Sequence, residues 1–385
     1  MKAVLACTSR FHIFDLAEAL QKQGSLECLV TGYPKWKTKG DIIPEAKLRN
    51  YSMYTTLFMA AMKFGVSGSW AGREIEWLSN DRLDQFASRF VDDADVFVGV
   101  SGAGLRSGRK VQEHGGKFVC DRGAAHIEEQ ERLLHIAFED AGLPYHEIDP
   151  RKVAKELQEY EQSDAVFVCS EFVREGFIKR GVPAEKVHSI RLGADVSKFQ
   201  PCAPKSEKSQ IVLVGQVGIQ KGIAVLAKAV KLLKDPTKYR IVVAGTALPE
   251  AEKFLNEIGR VVDLEVKGHL GQTDLAKVMS ASHLLVLPSV QDGFGMVVAQ
   301  AMACGTPALV SDACGAKEFV QENCNGGIFP SGNPKALAEA IDRLFEDRDH
   351  LNSMGQNARI SVQDLGGWDA YGTRAVELLR QLVEK

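Results

Sequence analysis

The order of apolar runs along the chain constrains its fold more than any other feature of the sequence. Short, continuous runs rich in valine, leucine and alanine alternate with segments of helical period such as KGIAVLAKAVKLLK and KALAEAIDRLFED. A continuous apolar run is typical of a strand buried on both faces, and its alternation with helices is typical of a parallel sheet. The sequence therefore predicts an α/β architecture built from repeated strand–helix units.

The apolar runs form two series, each long enough for a sheet of its own. The first comprises AVLACTS, LECLVTG, ADVFVGVSG, KFVCDRG, AVFVCSE and VHSIRLG, and the second comprises QIVLVGQ, YRIVVAGT, DLEVKGH, HLLVLPS and TPALVSD. The chain of 385 residues also exceeds one ordinary core, because cores stop growing near about 250–300 residues. We therefore expect two Rossmann-like, doubly wound parallel-sheet domains whose strand ends face a central cleft.

The segment QPCAPKSEKSQ interrupts the alternation with two prolines and mixed charges. It predicts an N-terminal domain over residues 1–200, a linker over 201–209 and a C-terminal domain over 210–365. The N-terminal stretch MKAVLACTSRFHIFDLAEAL carries charged residues soon after its apolar start. We interpret it as the first strand and helix of the fold rather than as a cleaved signal.

Composition excludes several classes of protein. The formal net charge of -3 shows no excess of basic residues that would favour binding of nucleic acid. No apolar run reaches the length of a membrane-spanning helix. None of the eight cysteines forms a C-x-x-C pair, so buried, reduced thiols in a cytoplasmic protein are expected and no metal site is predicted.

The stretch VQDGFGMVVAQAMACGTPALVSD, residues 290–312, is the strongest candidate for a ligand site. Gly293 and Gly295 follow a predicted strand and let a ligand approach the backbone closely. The unpaired N–H groups and the dipole of the helix that starts near Gly295 favour an anion such as a diphosphate. Asp292 and Gln300 are placed to bind sugar hydroxyls. Alternatively, Asp292 caps the helix and Gln300 is a surface amide.

This stretch resembles the donor-binding signature of family 4 glycosyltransferases, which are retaining enzymes with the two-domain GT-B fold. DGFGMVVAQAMACGTP matches that signature at its glycines, at Phe294 and at the helix end, where Met296 begins the apolar run. Asp292 and Gln300 stand where the family has two glutamates eight residues apart.

Three further segments resemble the same family. In VLVGQVGIQKG, Lys221 matches the lysine that contacts the donor diphosphate, whereas Gln216 replaces the usual arginine. Residues 163–201 resemble the segment that closes the N-terminal domain. GGWDAYGTRAVELLRQL resembles the final helices, so the resemblance implies that 366–385 packs back on the N-terminal domain.

The resemblance implies retaining transfer of a sugar from a nucleotide-sugar donor to a glycan, lipid-linked or small-molecule acceptor. It implies neither a metal nor another cofactor. Lys221 and the backbone at Gly295 and Met296 would stabilise the leaving diphosphate, and base recognition is expected along the backbone of 267–270. The alternative, motivated by the changes at Gln216, Asp292 and Gln300, is a GT-B-fold binding or scaffold protein that has lost turnover.

Two N-terminal loops supply candidates for the acceptor side. KFVCDRGAAHIEEQERLL places Asp121, Arg122 and His126 directly after a strand that faces the cleft. Asp121 and His126 are candidates for orienting the donor or the incoming hydroxyl, although a histidine at a helix start can equally cap or pack. Arg10 and His12 follow the first strand, and position alone supports them.

The segment 33–73 combines basic and aromatic residues on a stretch of helical period. Its members are Lys35, Lys37, Lys39, Lys47, Arg49 and Lys63, with Trp36, Tyr51, Tyr54, Phe58, Phe64 and Trp70. This combination suits peripheral contact with the inner face of a membrane or a lipid-linked acceptor. The alternative is a helix packed in the N-terminal domain with solvated lysines at its rim.

Overall fold

Two parallel sheets, one of seven strands and one of six, form the centres of two successive α/β domains. The computed structural model describes residues 1–38, 42–63, 69–194 and 196–385, without the side chains of Lys37, Lys63 and Asp364. Both domains are doubly wound and Rossmann-like, so the fold class predicted from the alternating apolar runs is confirmed.

The first sheet has the strand order β3-β2-β1-β4-β5-β6-β7. Its strands are β1 (Ala3–Cys7), β2 (Leu26–Thr31), β3 (Leu48–Asn50), β4 (Val96–Val100), β5 (Lys117–Arg122), β6 (Ala165–Val168) and β7 (Val187–Ser189). Its helices are α1 (Ile13–Lys22), α2 (Met53–Lys63), α3 (Trp70–Ala87), α4 (Leu105–Glu113), α5 (Ile127–Asp140), α6 (Pro150–Gln162) and α7 (Glu171–Lys179).

The second sheet has the order β10-β9-β8-β11-β12-β13. Its strands are β8 (Ser209–Val214), β9 (Tyr239–Ala244), β10 (Asp263–Gly268), β11 (Leu284–Leu287), β12 (Ala308–Ser311) and β13 (Gly326–Phe329). The helices are α8 (Ile223–Val230), α9 (Glu252–Gly259), α10 (Gln272–Ala281), α11 (Met296–Ala303), α12 (Pro334–Glu346), α13 (Arg348–Ser361) and α14 (Trp368–Glu384).

The central strands are apolar along their whole length because helices cover both faces of each sheet. All residues of β1, β11 and β12 are buried. Two short strands, β3 and β13, were not predicted: LRN is polar and GGIF is half glycine, so neither shows the apolar run that marks the others.

Side-chain caps fix the starts of several connecting helices. The Ser170 side chain accepts a hydrogen bond from Val173 N at the start of α7. The Asn333 side chain does the same from Ala336 N at the start of α12. Such caps satisfy backbone donors that a helix start leaves unpaired, and each contributes about 1 kcal/mol.

The last helix, α14, packs against α1 of the first domain. Gly372 permits the contact, because a Cβ at this position would lie 2.4 Å from Ala19 Cβ. Lys22 Nζ and Asp369 Oδ1 form an ion pair of 2.6 Å at the rim of the same contact, and Tyr371 is buried beneath it. The chain thus ends on the domain where it began.

Six of the eight cysteines are buried, as predicted for reduced thiols, and all eight are free. Cys202 is exposed and Cys324 is half-buried, so the expectation of burial does not hold for these two. Among the residues that the structure describes, no three His, Cys, Asp or Glu side chains gather to hold a metal ion. No helix in the described ranges is both long and apolar enough to cross a membrane.

The strand orders mark where ligands can bind. In each sheet the first strand of the domain lies centrally, and the chain leaves it in opposite directions: β1 lies between β2 and β4, and β8 lies between β9 and β11. Loops that follow such neighbouring strands separate and leave a crevice at the carboxyl edge of the sheet. The sites described below occupy these two crevices.

Candidate functional site

The crevice of the second sheet brings Lys221 and Asp292 together. Lys221 ends the 3-10 helix Ile219–Lys221 after β8, and Asp292 lies in the loop after β11. Because β8 and β11 are parallel neighbours, both loops emerge at the same sheet edge. Lys221 Nζ pairs with Asp292 Oδ2, and their side chains are 23% and 12% exposed.

The start of α11 lies beside this ion pair. Gly295 has φ 73°, a left-handed conformation that favours glycine, and its N–H donates to Asp292 Oδ1 at 3.1 Å. The carboxylate of Asp292 thus accepts the N–H of the residue that precedes α11, rather than an N–H of the helix itself. This carboxylate lies where the dipole of α11 favours an anion. A bound diphosphate would therefore lie beside the carboxylate or displace it.

Gly222 holds the loop after β8, which carries Lys221, against the end of β11. It has φ 75°, and a Cβ there would lie 1.8 Å from Pro288 O. No other residue fits this close backbone approach. The contact therefore holds Lys221, one residue earlier, over the loop that carries Asp292.

A cavity of about 360 Å³ lies beside Lys221, at the ends of β8, β9 and β10. Its lining includes Gln216, Gly215, His269 and Leu270, and the Cβ position of Gly215 is 3.7 Å from Lys221 Cε. Gln216 and the end of the predicted 267–270 segment therefore share one pocket next to the diphosphate candidate.

The remaining predicted donor residues differ in their surroundings. Phe294 is 6% exposed and packs edge-on against Phe319 at 5.6 Å between ring centroids. Its ring is therefore core, and only its backbone can face a ligand. Gln300 is half-buried on α11. Met296 faces a larger cavity that opens between the two domains.

This interdomain cavity has a volume of about 930 Å³ and lies at the carboxyl ends of β1, β4 and β5. Met296 and Gln272, at the starts of α11 and α10, face it from the second domain. From the first domain, the lining includes Phe11, His12, Asp15, Ser101, Asp121 and Arg122. The cavity thus joins the crevice of the first sheet to the helix start that favours an anion.

The side-chain partner of Asp121 is His12, from the loop after β1. His12 Nε2 lies 2.7 Å from Asp121 Oδ1. Burial by itself lowers the pKa of His12, but the charge and hydrogen bond of Asp121, with the charge of Asp15, outweigh it, so the pKa is raised above the usual 6.5. Sequence position alone supported His12, and the structure places it in the cavity.

Arg122 lines the cavity, but its guanidinium is already engaged. Its Nη1 lies 2.9 Å from Glu156 Oε2, and its Nη2 donates to Gln130 Oε1 at 2.6 Å. Glu156 also accepts hydrogen bonds from Ser101 and Tyr160. Arg122 is therefore held rigidly as part of the wall, with its charge balanced by Glu156.

Glu156 was not identified from the sequence. Burial by itself would raise its pKa, but the charge of Arg122 and the donated hydrogen bonds hold that pKa below its usual value. Its signal in the sequence was only a glutamate on the inner face of an amphipathic helix. Glu159, one turn later, accepts the N–H groups of Gly102 and Gly104 and so holds the loop after β4 in a tight turn.

The structure places His126, a predicted catalytic candidate, in the core, where it packs against aromatic rings. It is 3% exposed, and its ring lies 5.0 Å from the ring of Tyr160 and 5.1 Å from that of Phe177. It is absent from the residues that line the interdomain cavity. The ring precedes α5 and points into the core because its neighbours there are aromatic.

Burial makes His126 a source of acid instability. Its pKa is lowered to about 4 by burial and then by Arg180 and Arg122. Below about pH 6.5 the unfolded chain binds this proton and the native chain does not. The contribution of neutral His126 to the unfolding free energy is therefore fully present above that pH and is lost as the pH falls towards 4. We expect His126→Gln to reduce the difference in unfolding free energy between pH 7 and 4.5 by roughly 2–3 kcal/mol. Urea unfolding at both pH values measures this; an unchanged difference would contradict a neutral, buried ring.

The loop between β11 and α11, called the donor loop from here on, also contacts the first domain. Ser170 Oγ donates to Gly293 O at 2.7 Å, and Glu318 Oε1 accepts from Glu171 N at the start of α7. A Cβ at Gly293 would lie 2.2 Å from Gly123 O. Ser170 and Glu318 carried no recognisable signal in the sequence, because their role exists only across this interface.

Parts of this chain are similar to known glycosyl transferases. Residues 197–361 match the family of Glycosyl transferases group 1. An uncharacterized glycosyltransferase from Methanocaldococcus jannaschii is 25% identical over 246 residues, which are 59% of this chain and 62% of that protein. A D-inositol 3-phosphate glycosyltransferase from Xylanimonas cellulosilytica is 25% identical over 61% of each chain. The matched stretch thus spans about 60% of the length of these curated relatives.

Solved structures are similar over the whole chain. Anabaena HepE in complex with UDP and glucose has a TM-score of 0.69 at 15% identity, covering 99% of this chain and 100% of HepE. Sucrose-phosphate synthase from Thermosynechococcus elongatus has a TM-score of 0.69 at 21% identity, covering 99% of both chains. At these identities the likeness concerns the fold. Residues 197–361 thus match the family of Glycosyl transferases group 1, and the chain as a whole, with its paired Rossmann-like domains, shares the fold of these solved structures.

Proposed function

We propose that the protein transfers a sugar from a nucleotide-sugar donor to an acceptor hydroxyl. The observation that carries this proposal is the ion pair of Lys221 with Asp292 beside the start of α11. Met296, the first residue of α11, lines the interdomain cavity. A lysine ammonium and free helix N–H groups stabilise the charge that develops on a departing diphosphate. Gln216 lies in the adjoining pocket, where the nucleoside part of the donor would extend.

We propose that transfer proceeds with retention and without a metal, as the resemblance to family 4 glycosyltransferases implies. In this proposal the positive charge that a metal would supply comes from Lys221 and the dipole of α11. Asp292 and Gln300 would bind hydroxyls of the donor, and Arg122 would be fixed structure at the cavity wall. The acceptor is a glycan, a lipid-linked molecule or a small molecule with a free hydroxyl.

A scaffold that binds nucleotides without turnover is the second candidate. The pairing of Lys221 with Asp292 favours it, because the carboxylate neutralises the cation that a diphosphate needs. The glutamines at 216 and 300 add no charge to either side of the site. Binding and turnover must therefore be measured separately.

A thermal-shift panel of UDP, GDP, ADP, TDP and CMP, followed by their common nucleotide sugars, tests the proposal. UDP comes first because the similar HepE structure contains it. A ligand at about 100 times its Kd stabilises the native state by roughly 2.7 kcal/mol. A shift with one diphosphate, with release of that diphosphate from its sugar, supports transfer. A shift without release supports the scaffold, and no shift with any nucleotide contradicts both.

The anomeric configuration of the product tests retention. NMR of the first product, before mutarotation, distinguishes the same configuration as the donor sugar from the opposite one. An EDTA-treated sample tests metal independence in the same assay. Retention with full activity in EDTA is the expected result, and either inversion or a loss restored by a divalent cation would contradict the corresponding part.

We also propose peripheral membrane contact through 33–73. Six of the eleven large apolar side chains that are exposed in the described residues belong to this segment: Trp36, Ile42, Met53, Leu57, Met62 and Trp70. The segment has seven Lys and Arg against two Asp and Glu, hence +5 in a chain of -3. Exposed apolar side chains with excess positive charge suit an anionic lipid surface.

Part of the predicted basic and aromatic set serves the fold instead. Lys47 Nζ donates to Leu26 O, Arg49 lies over the Phe90 ring, and Tyr51 stacks on Phe86. Lys39 and Phe64 lie outside the described residues, as do the side chains of Lys37 and Lys63. The contact would therefore depend chiefly on the exposed apolar side chains.

Co-sedimentation with vesicles tests this contact. We expect binding to vesicles of phosphatidylglycerol and phosphatidylcholine that weakens with salt, and no binding to phosphatidylcholine alone. Replacing both Leu57 and Trp70 with serine should abolish it, because the apolar contact is lost. The matched control replaces Leu232 and Ile360, which are equally exposed elsewhere. Absence of binding, or equal loss in the control, would contradict the proposal.

A further inference from the structure

The thiols of Cys202 and Cys304 meet at one hydroxyl, although the two cysteines are far apart in sequence. Cys202 N donates to Ser280 Oγ at 3.1 Å, and Cys202 Sγ lies 3.5 Å from the same oxygen. The thiol of Cys304 is hydrogen-bonded to Ser280 as well. The two sulfur atoms are therefore neighbours around a single oxygen atom of α10.

The backbone segments that carry the two cysteines run beside each other. Pro201 Cγ lies 3.7 Å from the Cβ position of Gly305, so the residues next to the two cysteines in sequence are in contact. Lys205 Nζ donates to Gly305 O at 3.1 Å and to Thr306 Oγ1 at 3.0 Å. These contacts hold the predicted linker along the segment that follows α11. A disulfide requires such a close approach of two backbone segments.

The two thiols differ in their access to solvent. Cys202 is exposed, whereas Cys304, directly after α11, is 1% exposed. Burial raises the pKa of Cys304 to about 11, and the hydrogen bond with Ser280 and the charge of Lys205 offset this only in part. A reagent in solution therefore reaches Cys202 first, and Cys304 reacts only with a sulfur atom that is already beside it.

We propose that Cys202 is a site of thiol–disulfide exchange and that Cys304 is its resolving thiol. The reagent is a low-molecular-weight disulfide such as oxidised glutathione. Cys202 Sγ loses its proton and attacks one sulfur of the reagent, so a mixed disulfide forms and the first glutathione leaves as a thiolate. Cys304 Sγ then loses its proton and attacks Cys202 Sγ, and the second glutathione leaves with the electron pair of the broken bond. The leaving thiolates take up the two protons, so two protein thiols are oxidised and one disulfide is reduced.

The bond between Cys202 and Cys304 would fasten the predicted linker to the end of α11. The other end of the same helix, at Gly295 and Met296, borders the crevice of the second sheet. The bond would also close a long loop in the unfolded chain, which disfavours unfolding. We therefore expect the oxidised protein to have a higher Tm than the reduced protein, by roughly 4–10 °C.

Oxidation of the folded protein with oxidised glutathione, followed by alkylation in urea and mass spectrometry, tests the proposal. We expect alkylation of two thiols fewer than the eight that are free in the structure. Cleavage on the amino side of Asp292 and Asp312 separates Cys304 from Cys314, so the peptide joined to that of Cys202 identifies the partner. Dithiothreitol should restore all eight thiols.

Three variants separate the roles of the two thiols. In Cys304→Ala the glutathione adduct on Cys202 should accumulate, because the resolving thiol is absent. Cys304→Ser, which keeps a hydrogen-bonding group beside Ser280, replaces it if the alanine variant folds poorly. In Cys202→Ser the buried thiol of Cys304 should stay reduced. Cys324→Ser is the matched control, because Cys324 is half-buried, and the cross-link should form in it as in the wild type.

A glutathione adduct that persists on Cys202 of the wild type would overturn the proposal, because Cys304 would then be out of reach. A bond between two chains through Cys202, a bond to any other cysteine, or no loss of thiols would overturn it as well. So would a joined peptide pair in a protein whose Tm has fallen, since the bond would then belong to a distorted chain. None of these measurements involves a nucleotide, so their outcome is independent of the proposed function.

Discussion

Lys221→Ala is expected to weaken nucleoside diphosphate binding by about 10- to 100-fold. Hydrogen bonds to charged groups contribute about 1.5–3 kcal/mol, and each 1.4 kcal/mol corresponds to about tenfold in Kd. The variant also leaves Asp292, whose side chain is 12% exposed, without its cation in the crevice where we propose that the diphosphate binds. Repulsion between the two anions adds to the loss. Isothermal titration with the diphosphate selected by the nucleotide panel measures the effect.

Two variants test the origin of this loss. Lys152→Ala is the matched control, because Lys152 is 27% exposed and also pairs with a carboxylate, that of Glu76 at 2.7 Å. It should leave binding unchanged. Asp292→Asn should tighten diphosphate binding by removing the competing anion, while transfer falls because a sugar contact is weakened. Equal affinities of the wild type and Lys221→Ala would contradict the assignment of the diphosphate to this crevice.

Gly293→Ala is expected to separate the domains at the donor loop. The new Cβ would lie 2.2 Å from Gly123 O and 3.1 Å from Cys169 Sγ, both in the first domain. Over-packing at such a contact costs about 1–3 kcal/mol. The hydrogen bond from Ser170 Oγ to Gly293 O would also be strained. We expect a lower Tm, a larger radius of gyration in small-angle scattering and roughly tenfold weaker nucleotide binding.

The control for this variant is Gly176→Ala. Gly176 lies within α7, whose first residue contacts Glu318 of the second domain, and a Cβ at Gly176 would have no heavy atom within 4 Å. Alanine in a helix interior is favoured over glycine by roughly 0.5–1 kcal/mol, so this variant should be slightly more stable. Wild-type Tm and binding in Gly293→Ala would show that the domains do not meet at this loop when a nucleotide binds.

Much of the fold could be predicted because it depends on local patterns. Strands buried on both faces require continuous apolar runs, and eleven such runs were recognised as strands. The start of α11 was also predicted, since the glycines of DGFG mark a backbone that only glycine adopts easily, and Gly295 has φ 73°. The predicted domain boundaries at 200, 210 and 365 stay predictions.

The candidate site was predictable in part on both sides, since Asp121 and Arg122 of the first domain also line the interdomain cavity. Lys221, Asp292, Gly295 and Met296 lie in loops that follow strands, and the resemblance to a family signature selected them. On the first-domain side, residue type and position did not distinguish His12 from His126. The aromatic neighbours of His126 and the carboxylate partner of His12 come from distant segments, so no local pattern could separate the two.

Local patterns along the chain were sufficient to predict eleven strands, the polar loops that follow them and the helix start that favours an anion, because each depends on residues that are neighbours in sequence. Which loops meet depends on the tertiary structure. The order of strands in each sheet places His12 beside Asp121 and Lys221 beside Asp292. The packing of the two domains places Ser170 against Gly293. Such contacts depend on which strands pair and which faces pack, and these are properties of the whole folded chain.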